Sequence, residues 1–159
     1  GTMPEKTVTV GRKVPDFSLP ATGGGNWKLS AARGSKVVIY FYPKDNTSGC
    51  TQEGVAFADL NKAFGKEGAV VVGVSPDSPA SHEKFKSKMG FPFELLADEE
   101  QKACQLFGVW KEKSMYGRKY MGVERSTFLI DEQGVLQREW RKVKVPGHAD
   151  EVLDAVRDL

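Results

Sequence analysis

The stretch Lys36–Glu53 reads KVVIYFYPKDNTSGCTQE and changes character near its centre. Its first part, Lys36–Tyr42, is apolar almost throughout, which is typical of a strand buried on both faces of a parallel or mixed sheet. The remainder is polar apart from one cysteine, Cys50. The pattern predicts that a buried strand ends here, and that a helix begins near Thr47 and carries Cys50 in its first turn.

The rest of the chain alternates between strand and helix patterns. Helical spacing of apolar residues predicts one helix from about Ser48 to Lys66, and another that is capped near Ser78 and closed at Gly90. The further predicted elements are a buried strand at Ala69–Ser75, a short strand within 93–98, a short helix over 99–108, a hairpin formed by 125–131 and 134–143, and a closing helix over 147–159. This order indicates an α/β domain with helices on both faces of the sheet, in which right-handed crossovers make the central strands parallel.

The N-terminal region is predicted to be an arm followed by an edge hairpin. Residues 1–13 are polar, and the first two, Gly1 and Thr2, are interpreted as a remnant of cloning. Val14–Ala21 and Asn26–Ser30 are predicted to be strands on either side of a turn at Gly23–Gly25. A phosphate-binding loop is the alternative for the glycines, but no GxxxxGK[ST] pattern is present and no helix is predicted to follow.

Length and composition favour one domain over residues 1–159. The 159 residues are 40% hydrophobic, which is enough for a core without disulfide or metal support. The net charge of +2 and the interleaved lysines and carboxylates do not predict nucleic-acid or membrane binding. No signal-peptide pattern is recognised, so we expect a cytoplasmic protein whose cysteines stay reduced.

Cys50 is predicted to be reactive. A helix N-terminus offers unpaired N–H groups and partial positive charge, which both favour a thiolate. Thr47 is a suitable N-cap whose hydroxyl can face a ligand, and Gly49 permits close backbone approach. The alternative is that Cys50 is a small buried hydrophobe, but its polar neighbours disfavour burial in a core.

Several cysteine chemistries are less consistent with the sequence. A Cys–His pair requires an imidazole base, yet no motif ties His82 or His148 to Cys50, and both are predicted to be solvated or capping residues. A zinc site would need these three residues and Cys104, without any paired spacing. A dithiol C-x-x-C motif is excluded because Glu53 stands at its second position. A lone thiolate that attacks a peroxide remains.

The segment FYPKDNTSGCTQEG resembles the P-x-x-x-T-x-x-C motif of peroxiredoxins. Three further segments are similar to the bacterioferritin comigratory protein, or peroxiredoxin Q, subfamily: DEEQKACQLFGVWKEKSMYG, GVERSTFLIDEQG and WRKVKVPGHADEVL. The resemblance implies a thioredoxin-like fold, with a central mixed β-sheet flanked by helices and an N-terminal β-hairpin.

The resemblance also implies residue roles. Cys50 matches the peroxidatic cysteine, which becomes a sulfenic acid, and Thr47 matches the hydroxyl that contacts peroxide and thiolate. Pro43 matches the proline that shields the pocket. Arg125 matches the arginine that stabilises the thiolate and binds a peroxide oxygen; without the resemblance it would be interpreted as a surface strand residue.

Two departures from the subfamily pattern concern the mechanism. Ser48 stands where proline is usual, which predicts a looser loop. Val55 and Lys86 occupy the two positions where a resolving cysteine is found in relatives. Cys104 is predicted to be a packed core residue. We therefore expect a one-cysteine enzyme.

The predicted function is a thiol peroxidase that reduces hydrogen peroxide and organic hydroperoxides. The external reductant is thioredoxin, glutaredoxin or glutathione, the protein is expected to be a monomer, and neither a cofactor nor a metal is expected. The alternative is a redox-sensing or chaperone-like protein that forms mixed disulfides through Cys50. Turnover discriminates the two, because a sensor stops after one equivalent of peroxide.

Overall fold

The computed structural model describes residues 8–159. The elements are β1 (Ser18–Pro20), β2 (Asn26–Lys28), β3 (Lys36–Phe41), α1 (Ser48–Asp59), α2 (Asn61–Lys66), β4 (Ala69–Ser75), α3 (Pro79–Met89), β5 (Glu94–Ala97), α4 (Lys102–Leu106), β6 (Trp110–Met115), β7 (Arg118–Val123), β8 (Ser126–Ile130), β9 (Leu136–Trp140) and α5 (His148–Arg157). The interpretation of Gly1 and Thr2 as a cloning remnant, and most of the arm predicted over 1–13, lie outside the described residues.

A five-stranded sheet with the order β5-β4-β3-β8-β9 is the centre of the fold. β3, β4 and β5 are parallel to one another, whereas β8 runs antiparallel to both β3 and β9. The predicted parallel crossovers and the predicted C-terminal hairpin are therefore confirmed, and the sheet is mixed.

Alternate side chains of β3 enter two different hydrophobic clusters, one on each face of the sheet. Val38 and Tyr40 belong to the first cluster, to which α1, α2, α3 and α5 contribute. Ile39 and Phe41 belong to the second, to which α4 and the N-terminal hairpin contribute. Because successive strand side chains point to opposite faces, a continuous apolar run requires cover on both. Helices lie on both faces, as predicted.

The local sequence signals correctly predicted both ends of α3 and the N-terminal hairpin. The Ser78 hydroxyl accepts a hydrogen bond from the backbone N–H of Ser81 at 3.1 Å, and α3 ends at Gly90, whose φ is +67°. β1 and β2 pair antiparallel around the glycine turn, although both strands are shorter than predicted. The predicted N-terminal hairpin is therefore present.

The helix predicted over residues 48–66 is wrong in one respect, because it is broken at Leu60. Leu60 has φ −98° and ψ 4°, and α1 ends before it while α2 begins after it. Phe57 and Phe64 from the two helices still enter the same cluster.

The β6–β7 hairpin has no counterpart among the predicted elements. Its strands pair antiparallel from Trp110 opposite Val123 to Met115 opposite Arg118. Most of its side chains are exposed, so the hydrophobic alternation that marks a half-buried strand is missing. Tyr116 and Gly117 form its turn, both with positive φ, and Gly117 is the sequence signal that could have indicated a turn here. Among the helices of residues 8–159, none combines the length and apolar character needed to cross a bilayer.

Candidate active site

Cys50 lies in the first turn of α1, just beyond the carboxyl end of β3. Its side chain is 2% exposed and packs in the same cluster as Tyr40. The expectation that polar neighbours keep Cys50 out of the core is therefore wrong. Cys50, Glu53, Gly54 and Phe57 form the buried stripe of α1, at the spacing of one helix face, while polar neighbours such as Gln52 are exposed on the other.

Arg125 brings a positive charge to the thiol from another part of the chain. It precedes β8, whose first residue, Ser126, lies opposite Phe41 at the end of β3. Its Nη2 donates a hydrogen bond to Sγ of Cys50 at 3.3 Å. The Arg125 side chain is 16% exposed, so its charge acts in a partly desolvated site.

Glu53 holds the other side of the same guanidinium. Nη1 of Arg125 donates to Oε1 of Glu53 at 2.6 Å, and Oε2 of Glu53 is buried without a hydrogen-bond partner among residues 8–159. Burial raises the pKa of Glu53 to about 7, against the lowering effect of Arg125. Burial lowers the pKa of Arg125, but Glu53 and Cys50 outweigh it and raise that pKa, so the guanidinium stays charged.

Gly49 makes room for this contact. A Cβ atom at position 49 would lie 3.2 Å from Nη2 of Arg125, which is closer than an ordinary van der Waals contact. The glycine therefore allows the guanidinium to reach Sγ of Cys50 past the helix backbone.

Thr47 and Pro43 lie on the connection between β3 and α1. Thr47 occupies the N-cap position with an extended backbone, but within the described part of the chain its side chain makes no capping hydrogen bond. Its Oγ1 instead donates to the carbonyl oxygen of Lys44 at 2.9 Å. Because its proton is used in this bond, the exposed hydroxyl oxygen of Thr47 acts as a hydrogen-bond acceptor toward another molecule. Pro43 is half-buried at the start of the connection.

Cys104 is separated from this site by the sheet. It lies in α4, has no exposed surface, and packs in the cluster on the other face from Cys50. Burial raises the pKa of the Cys104 thiol far above its usual range, and the carboxylate of Asp98 adds to the effect. The prediction that Cys104 is a packed core residue agrees with this placement.

The two histidines are not solvated or capping residues, contrary to the sequence-based expectation. His82 is fully buried, and its ring nitrogens contact Oδ2 of Asp45 at 2.7 Å and the carbonyl oxygen of Leu96 at 2.9 Å. His148 Nε2 lies 2.8 Å from Oγ1 of Thr127, and burial lowers the pKa of His148 to about 4. Both polar rings are buried because each has a hydrogen-bond partner.

Asp45, Asp77 and His82 each have one side-chain atom that could bind a metal ion, and these three atoms lie within 4.8 Å of one another. Within the described residues, however, the Asp45 carboxylate accepts hydrogen bonds from Tyr42 and Ser81 in addition to its contact with His82. The group is therefore explained as a hydrogen-bonded network that joins the loop after β3 to α3, and no metal is needed to account for it.

Two residues of the site were missed from sequence. In the sequence, Glu53 rules out a C-x-x-C motif, but its position three residues after Cys50 also places both residues on one helix face. Lys113, half-buried on β6, is the second. Burial and then Arg125 lower the pKa of Lys113, whereas Cys50 and Glu124 raise it, so these charges lie within electrostatic range of one another.

Comparison with known proteins identifies the family of the chain. The AhpC/TSA family model matches residues 10–139. Peroxiredoxin Bcp of Bacillus subtilis strain 168 is 50% identical over 153 residues, covering 96% of this chain and 98% of that protein.

Two solved structures are similarly close. Xanthomonas campestris peroxiredoxin Q superposes with a TM-score of 0.88 at 46% identity, covering 96% of this chain and 97% of that one. A second structure, of the X. campestris bacterioferritin comigratory protein studied for its alkyl peroxide reduction activity, has a TM-score of 0.88 at 45% identity and covers 97% and 98%. The predicted fold and family are confirmed: the chain belongs to the AhpC/TSA family, as a peroxiredoxin of the bacterioferritin comigratory protein and peroxiredoxin Q type.

Proposed function

We propose that this peroxiredoxin reduces hydrogen peroxide and organic hydroperoxides through a sulfenic acid at Cys50. The enzyme class, a thiol peroxidase, follows from membership of the family. The observation that carries the residue assignment is the hydrogen bond from Nη2 of Arg125 to Sγ of Cys50 at 3.3 Å. A partly desolvated cation beside a cysteine in the first turn of a helix favours the thiolate, which is the nucleophile.

In the proposed reaction, the Cys50 thiolate attacks one oxygen of the hydroperoxide and the O–O bond breaks. The attacked oxygen stays on sulfur as the sulfenic acid, and the second leaves as hydroxide or alkoxide, which takes a proton to become water or an alcohol. Arg125 stabilises the negative charge that develops on the oxygens. Thr47 accepts a hydrogen bond from the peroxide O–H, since its own proton is directed to Lys44. Pro43 shields the site from water.

The sulfenic acid is reduced by an external thiol. This proposal is supported by Val55 and Lys86 at the two positions where relatives carry a resolving cysteine, and by the burial of Cys104 on the other face of the sheet. Attack by the thiol releases water and forms a mixed disulfide, which a second thiol cleaves to regenerate Cys50. We further propose that thioredoxin, glutaredoxin or glutathione supplies the thiol, and that the protein works in the cytoplasm as a monomer.

Steady-state peroxide consumption with each reductant in turn tests this function. Many equivalents of peroxide per protein are expected with at least one reductant, and none from Cys50→Ser. Consumption that stops after one equivalent with every reductant would instead identify the redox-sensing alternative. Sedimentation equilibrium at micromolar concentration tests the monomer separately.

A further inference from the structure

The β6–β7 hairpin presents an apolar surface to solvent. Its large exposed side chains are Met115, Tyr116, Tyr120 and Met121, and Tyr116 at the turn is 99% exposed. Most exposed apolar side chains occur singly on a protein surface, whereas a contiguous group of them marks an interaction site. Met115 and Tyr116 are neighbours at the tip of this hairpin, and Tyr120 shares a face with Met115, whereas Met121 lies on the opposite face.

The same hairpin is strongly basic. It carries four cationic side chains, at positions 111, 113, 118 and 119, against one carboxylate, Glu112. Lys111, Lys113 and Met115 alternate along β6 and lie opposite Gly122, Tyr120 and Arg118 of β7, respectively. Residues that lie opposite each other in this way share one face of the hairpin. We call the side chains of Lys111, Lys113, Met115, Arg118 and Tyr120, together with Tyr116 at the turn, the hairpin face; it contains three cations and no carboxylate.

The hairpin face is linked to the active site. Lys113 is its half-buried member, and its pKa responds to Arg125 and Cys50 as well as to burial. β7 ends at Val123, and the next residue, Glu124, donates its backbone N–H to the carbonyl oxygen of Val109. The base of the hairpin is thereby fixed directly before Arg125, whose guanidinium contacts Sγ of Cys50.

We propose that the hairpin face docks an acidic protein that carries the reducing thiol. This inference rests on the function proposed above, because it names the surface by which the external thiol arrives. The cations complement an acidic surface, and the exposed Met115 and Tyr120 provide apolar contact area between them. A second copy of this chain fits less well, because a symmetric contact would place the basic face against itself.

The reaction in the docked complex balances in atoms and electrons when the partner protein supplies two thiols. One partner thiolate attacks the sulfur of the Cys50 sulfenic acid, the S–O bond breaks, and the oxygen leaves as water after protonation. The second partner thiol then attacks the mixed disulfide, which releases Cys50 as a thiolate and leaves the partner with an intramolecular disulfide. Two partner thiols are thus oxidised for each peroxide reduced.

The test compares the variant Lys111→Glu/Arg118→Glu with a matched control, Lys62→Glu/Lys66→Glu on α2, which makes the same change in net charge. A second variant, Tyr116→Asn, removes the exposed ring at a position with φ +52° before Gly117, where asparagine is well tolerated. For each protein we would measure Cys50 oxidation in a single turnover with hydrogen peroxide, steady-state turnover with dithiothreitol, and kcat/KM for bacterial thioredoxin and glutaredoxin at several salt concentrations.

We expect single-turnover oxidation and dithiothreitol-supported turnover to be the same in all four proteins. For the better protein reductant, kcat/KM should fall at least about tenfold in the charge variant, several-fold in Tyr116→Asn, and not in the control, with a steep loss at high salt for the wild type. Normal Cys50 oxidation with unchanged kcat/KM in the hairpin variants would overturn the docking surface alone. The same holds if neither protein reductant supports turnover, or if the substitutions alter only self-association or binding to anionic phospholipid vesicles. Failure of the wild type to oxidise Cys50 would overturn the proposed function itself.

Discussion

Arg125 and Glu53 form an ion pair in which Nη1 and Oε1 are 2.6 Å apart, and the Glu53 side chain is only 2% exposed. The other terminal nitrogen of Arg125 donates to Sγ of Cys50. Glu53 therefore has two opposing effects: it fixes the guanidinium in place, and when ionised it offsets the positive charge that acts on the thiolate. The first three predictions separate these effects and the roles of the two cysteines.

Replacing Arg125 by alanine should slow the attack of Cys50 on peroxide. Loss of a charge-assisted hydrogen bond in a partly desolvated site should raise the barrier by about 2–4 kcal/mol, which is roughly 30- to 1,000-fold in rate. The rate of thiol alkylation should also reach its plateau at higher pH. Arg125→Lys should recover only part of the rate, since an ammonium lacks the fork that reaches both Cys50 and Glu53. Arg157→Ala, at the end of α5, is the control; an identical pH profile in wild type and Arg125→Ala would contradict the role.

Replacing Glu53 by glutamine should change alkylation of Cys50 in a pH-dependent way. Because the pKa of Glu53 is raised to about 7, the wild-type carboxyl is mostly neutral below that pH and mostly ionised above it. Glu53→Gln should match the wild type below pH 6 and alkylate faster above pH 8, by up to about tenfold, because no carboxylate opposes Arg125 there. Glu53→Ala should slow peroxide attack at every pH, since Arg125 loses its anchor. Equal profiles for wild type and Glu53→Gln would count against the charge effect.

Cys50 should be the only essential cysteine. Cys50→Ser should abolish peroxide turnover, whereas Cys104→Ser should retain most of it, because Cys104 is buried among apolar side chains away from Arg125. Serine at position 104 places a hydroxyl in that cluster, so stability of the variant is to be checked by urea unfolding, with Cys104→Ala as the apolar alternative. Comparable turnover in wild type and Cys50→Ser would remove Cys50 from the mechanism.

Oxidation by one equivalent of peroxide should leave no intramolecular disulfide. A disulfide requires Cα atoms within about 7 Å, and the two cysteines belong to clusters on opposite faces of the sheet. Non-reducing mass spectrometry should show a gain of one oxygen, trapped at Cys50 by a sulfenic-acid reagent, and excess peroxide should add a second oxygen. A mass loss of two hydrogens with a linked Cys50–Cys104 peptide would falsify the one-cysteine mechanism.

His148 should make the protein less stable in mild acid. Its pKa is lowered from 6.5 to about 4 by burial, so below pH 6.5 the unfolded chain binds a proton that the folded chain does not. Stability from this residue is complete above pH 6.5 and falls as the pH drops toward 4, by at most about 1.4 kcal/mol per pH unit. His148→Gln, which keeps a polar partner for Thr127, should remove this slope. Urea unfolding from pH 4 to 8 measures it, and parallel curves for both proteins would contradict the prediction.

The sequence alone determined the order of most elements, apart from the β6–β7 hairpin and the break in the helix over 48–66, and the place of Cys50 in the first turn of α1. The apolar run at Lys36–Tyr42 predicts a strand buried on both faces, and the Ser78 and Gly90 signals predict both ends of α3, because these patterns depend on local backbone chemistry and periodicity. The motif around Cys50 also indicated the family. Each of these inferences uses residues that are near neighbours along the chain.

Only the tertiary structure decided which charges meet at the thiol and which groups are buried. Arg125 is 75 residues from Cys50 and reaches it because β8 pairs with β3, a register that no local pattern specifies. Periodicity along α1 could have indicated that Cys50 and Glu53 share a face, but not that the face is covered by the sheet and α5. His82 likewise has no apolar pattern of its own, and it is buried because Asp45 and Leu96 converge on its ring. Such contacts depend on the packing of elements distant in sequence, which side-chain type and spacing do not determine.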